Sequence, residues 1–130
     1  MKTKMSELEK LRKIAMDVKN RKEEEWKLDH EKYLDMLCGK YMNDVKTNLE
    51  ENALNGITNM KIKLSKENID DFDNRKDKFG DIIHRKYLAG LMVERWIFHN
   101  PDYEGLNYKV ILILDYVSGD YTDFEIVLWY

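Results

Sequence analysis

Two β-branched and aromatic runs, residues 108–117 and 121–130, flank Ser118-Gly119-Asp120 near the end of the chain. A Gly-containing loop of three residues between such runs predicts an antiparallel hairpin. Pairing Val117 with Tyr121 sets Leu114 against Phe124, Leu112 against Ile126 and Val110 against Leu128, whereas a two-residue loop would set Leu114 against Asp123. A one-residue slip moves every side chain to the other face, so the register that keeps the faces unmixed is preferred. One face then holds Tyr108, Val110, Leu112, Leu114, Tyr116, Phe124, Ile126, Leu128 and Tyr130. The other holds Ile111, Ile113, Val127 and Trp129 among Lys109, Asp115, Asp123 and Glu125.

A small sheet with two partly apolar faces needs a layer on each side. The stretch from Phe79 to Phe98 supplies one: Ile82, Ile83, Tyr87, Leu88, Leu91, Met92, Val93, Trp96 and Ile97 make an apolar arc wide enough for a central helix, stopped by Asn100-Pro101. Thr58, Met60, Ile62 and Leu64 alternate with Asn59, Lys61 and Lys63, which predicts a half-buried strand whose lysines suit a sheet edge. Ser65 is placed to cap a short helical turn ending near Phe72, followed by a polar connector. The second face is left to the N-terminal helix or to another subunit, and a chain that ends in Trp129-Tyr130 inside a strand points the same way. A homodimer is therefore expected, with Ile111, Ile113, Val127 and Trp129 of the sheet and Leu11, Ile14 and Val18 of the first helix as interface residues.

Ser6 and Glu9 form a capping box that opens this helix. Leu8, Leu11, Ile14, Ala15 and Val18 follow at three- and four-residue spacing, and Tyr33, Leu34, Leu37, Tyr41, Met42, Val45 and Leu49 continue the stripe towards Asn55-Gly56. One long helix or two are compatible with this pattern, with a break near 20–25 or at Cys38-Gly39. The expected architecture is α+β: a helical region 1–54, then a β-α-β-β core over 55–130 that ends in the hairpin 108–130.

Charge divides the chain. Residues 1–22 carry eight Lys or Arg against three acids, whereas residues 103–130 carry only Lys109 against five acids, within a net charge of -3. Lys10, Arg12, Lys13, Lys19, Arg21 and Lys22 are candidates for contacting phosphates of a nucleic acid or an acidic protein partner. Glu7, Glu9 and Asp17 interrupt that surface. At the other end the expected register opposes Asp115 to Asp123 with Glu125 beside them, a carboxylate group that would suit Mg²⁺ or Mn²⁺. With Pro101-Asp102 upstream it resembles the acidic core of restriction nucleases, but Val127 stands where that core has lysine. The three histidines, His30, His84 and His99, show no metal or triad spacing, and Arg75 breaks a calcium-loop reading of Asp71, Asp73 and Asp77.

A lone cysteine, Cys38, and a charged start without an apolar core fit an intracellular protein that is not secreted, and no apolar run is long enough to cross a membrane. The excess of Lys, Asn, Ile and Tyr over Arg, Gly, Ala and Pro is the bias of A/T-rich coding sequence, as in large DNA viruses, low-GC bacteria and protists, and a large DNA virus is the source expected. The expectation is a small homo-oligomeric interaction or structural protein without catalysis or cofactor. A nucleic-acid-associated protein is the first alternative and a divalent-metal-dependent nuclease-like enzyme the second.

Overall fold

The computed structural model describes residues 6–114, 117–119 and 121–130. The chain forms two compact units, 1–32 and 33–130, divided inside the first helix. This helix, α1, runs without interruption over Glu7–Tyr41. The capping box forms at its start: the Glu9 N–H donates to Ser6 Oγ (3.2 Å) and the Ser6 N–H to Glu9 Oε2 (3.3 Å). Neither expected break occurs. A helical Gly such as Gly39 costs only about 1 kcal/mol, and the helix stops just beyond it, where Met42 turns into the core and the Asn43 amide donates to the Gly39 carbonyl. Helix α2, Val45–Leu54, follows and ends at Asn55-Gly56 with Gly56 at φ +75°.

Three strands, β1 (Asn59–Leu64), β2 (Asn107–Leu114) and β3 (Tyr121–Trp129), form an antiparallel sheet in the order β1-β3-β2. The lysine-bearing β1 is indeed an edge. Between β1 and β2 lie the single turn α3 (Asp70–Asp73) and the central helix α4 (Arg85–His99). The expected helix start at Phe79 is too early. Residues 77–81 form a turn in which Asp77 Oδ1 accepts the N–H groups of Phe79 (2.8 Å) and Asp81 (3.0 Å), with Gly80 at φ +88°. Asp and Gly in these places carry turn chemistry that outweighs the helical spacing of Ile82 and Ile83. The true cap is His84, whose Nδ1 accepts the Lys86 N–H at 3.2 Å.

The hairpin register also differs from expectation. Val110 faces Ile126 and Leu112 faces Phe124, two residues away from the expected pairing, with an irregularity between Ile113 and Leu114. Among the described residues up to Ile113 on β2 and from Asp123 on β3, both faces keep their expected members, because a slip of two residues preserves the alternation; Asp115 and Tyr116 lie outside the described residues. The inner face packs Met60, Leu64, Val110, Phe124, Ile126 and Leu128 into one core with Leu34, Leu37, Leu49, Phe72 and the buried side of α4. A Cβ at Gly90 of α4 would meet Tyr108 Cε2 and Oη at 3.4 Å. Alanine fits at that distance, and Gly90→Ala is expected to raise stability by up to about 1 kcal/mol through helix propensity. Urea unfolding checks it, and a loss of stability would show that the Tyr108 ring cannot adjust.

Candidate interaction surface

The outer face of the sheet is built by the odd positions of all three strands. Successive rows across it read Asn59-Trp129-Asn107, Lys61-Val127-Lys109 and Lys63-Glu125-Ile111, followed by Asp123 beside Ile113. Ile111, Ile113, Val127 and Trp129 are thus neighbours, as expected, and none of them joins the core cluster. Ile111 is 39% exposed, while Val127 is only 8% exposed. Val127 lies between two lysines in its row, and the Lys109 ammonium sits 5.9 Å from the centroid of the Trp129 ring. Long cationic side chains can shelter apolar surface with their methylene stems while the charged heads stay in water.

The described register pairs neither Asp123 nor Glu125 of the expected carboxylate group with another acid. Asp123 faces Ile113, and Glu125 faces Ile111 on one side and Lys63 on the other. Asp115 lies outside the described residues. Among the described residues no three His, Cys, Asp or Glu side chains are grouped to hold a metal. In the first unit Leu11 and Ile14 are exposed and Val18 is half-buried. Lys10, Arg12, Lys13, Lys19, Arg21 and Lys22 share one uninterrupted helix, and at about 100° per residue they fall on several sides of it rather than along one stripe. Lys10 is paired with Glu7 at 3.2 Å.

Three polar arrangements of the second unit escape a reading of the sequence, because each joins residues far apart in the chain. Asp71 accepts hydrogen bonds from Lys40 Nζ (2.7 Å) and the Tyr41 hydroxyl (2.6 Å), and its backbone carbonyl accepts from the Tyr33 hydroxyl. The Lys40 bond, with that of Tyr41, holds the Asp71 carboxyl below its usual range. Asp35 takes Arg95 Nε at 2.7 Å and lies 2.9 Å from His99 Nε2, and the Arg95 bond likewise lowers its pKa. The third lies in the groove between α4 and β2. This groove encloses about 510 Å³, is lined by His84, Lys86, Tyr87, Leu91, Glu94 and Tyr108 among others, and holds the Tyr108 hydroxyl 2.9 Å from Glu94 Oε1. Burial, then Glu94, pushes Tyr108 up to about 12.

Cys38 donates to the Met92 carbonyl at 3.2 Å. Burial, reinforced by the Asp35 charge, raises its thiol from 9.0 to about 11. At neutral pH this side chain is a protonated thiol and a poor nucleophile. Native protein is expected to react with iodoacetamide at pH 7.5 at least about tenfold more slowly than unfolded chain, and equal rates would contradict the burial. The folded thiol holds its proton more tightly than the unfolded one. The associated stability is therefore complete below pH 9 and is lost as pH rises towards 11.

No helix among the described residues is long and apolar enough to cross a membrane. No protein family matches the chain, and neither a curated protein nor a solved structure shows significant similarity to it.

Proposed function

We propose that this is a non-catalytic interaction protein that works as a homo-oligomer inside the cell, with the outer side of its sheet as the contact region. The observation that carries the reading is the set Ile111, Ile113, Val127 and Trp129, gathered on a face that lies outside the main core cluster, with Val127 buried there and Ile111 exposed. Adjacent apolar side chains outside the core favour a partner because covering them removes apolar area from water. The lone, half-buried thiol of Cys38 suits a reducing compartment. A phosphate-tracking role for α1 has less support, since its cations are spread around the helix.

Sedimentation velocity at micromolar concentration tests the proposal. The wild-type chain is expected to sediment as a dimer or larger, and Ile111→Lys, whose charge would meet Glu125 of β3 rather than oppose it, to shift it to a folded monomer. A wild-type monomer across the whole concentration range would refute it.

A further inference from the structure

The two edges of the sheet are treated differently. In the β1–β3 ladder the Tyr130 N–H donates to the Thr58 carbonyl at 3.2 Å. Antiparallel pairing alternates, so even residues of β3 turn their backbone groups to β1 and odd residues turn theirs to β2. The odd residues of β1 and the even residues of β2 consequently point their N–H and C=O groups away from the sheet. On β1 this edge is managed: the Asn52 amide of α2 donates to the outward carbonyl of Asn59 (2.9 Å), and Lys61 and Lys63 guard the rest. On β2 the outward groups are those of Tyr108, Val110 and Leu112, and among the described residues no strand pairs with them. From Val110 to Leu114 this edge carries no charge at all. A groove between α4 and β2 borders Tyr108 and Val110.

Such an edge invites another strand, and the side chains select which one. If β1 paired antiparallel with a second β1 about Ile62, Lys61 of each copy would face Lys63 of the other, a like-charge opposition that disfavours pairing. If β2 pairs with a second β2 about Ile111, the result is different. Ile111 faces Ile111 of the second copy, Val110 faces Leu112, Tyr108 faces Leu114 and Lys109 faces Ile113, with no like charges opposed. This register also puts Val110 opposite Leu112 with outward backbone groups on both, so the ladder closes in phase.

We infer that the partner is a second copy of this chain joined through β2, antiparallel about a two-fold axis at Ile111, giving one continuous six-stranded sheet. The inference rests on the self-association proposed above but places the contact at the β2 edge, where Ile111 and Ile113 of the outer-face set meet the second copy and Val127 and Trp129 do not. The isologous pairing closes the β2 edges of both copies, so it stops at a dimer.

Two sets of variants test the axis. In sedimentation equilibrium, Ile111→Lys and Ile111→Glu should each weaken the dimer about a hundredfold or more, because each puts two like charges against each other at the axis. An equimolar mixture of the two should restore dimers, since opposite charges then meet there. Independently, Ile111→Cys in a Cys38→Ser background should form an intermolecular disulfide on mild oxidation. Residues in a non-hydrogen-bonded pair bring their Cα atoms to about 4.5 Å, within disulfide reach. A dimer indifferent to both charges and giving no cross-link would overturn the edge pairing and leave self-association standing. A wild-type monomer would overturn both.

Discussion

Replacing Phe124 with alanine is expected to lower the unfolding free energy by about 3–5 kcal/mol. Phe124 is fully buried at the middle strand, paired with Leu64 on one side and Leu112 on the other. Its ring meets the Phe72 ring edge-on at a centroid distance of 5.0 Å, and Phe72 in turn packs near Tyr41. One side chain therefore links both flanking strands to α3 and, through Phe72, to the end of α1. Truncation leaves a cavity bounded by elements that cannot all close on it, since the strands are fixed by their ladders. Urea unfolding of Phe124→Ala gives the number, and a loss below about 1 kcal/mol would mean that the core repacks and Phe124 is not its centre.

The second large effect comes from one helix with two characters. Leu37 of α1 is 0% exposed whereas Leu11 of the same helix is 62% exposed. Leu37→Ala should cost about 2–5 kcal/mol, and Leu11→Ala should stay within about 0.5 kcal/mol. Both substitutions exchange one good helix former for another, so the difference reports burial alone. Equal losses would show that residues 7–32 contribute to the cooperative core, against the division of the chain into units at residues 32 and 33.

These contrasts show what the sequence makes legible. The capping box at Ser6 and Glu9, the edge character of Lys61 and Lys63, and the faces of residues 107–113 and 123–129 follow from local chemistry and periodicity, and all are present. The hairpin register does not follow, because a pattern of period two is blind to a slip of two residues. That slip is what places Ile113 opposite Asp123. The start of α4 was obscured because Ile82 and Ile83 continue its spacing into the Asp77–Gly80 turn. The Asp71 and Asp35 arrangements have no sequence signature, since their partners at Lys40, Arg95 and His99 come from other elements.

The strand order β1-β3-β2 has a consequence during synthesis. The strand that pairs with both others is the last of the three to leave the ribosome. Until residues 121–129 emerge, β1 and β2 have no partner in the growing chain. The nascent polypeptide then displays an uncharged apolar stretch at Val110–Leu114 with both of its edges free. Slow translation or a stall before β3 would extend this exposed interval, and aggregation of unfinished chains should begin with that stretch.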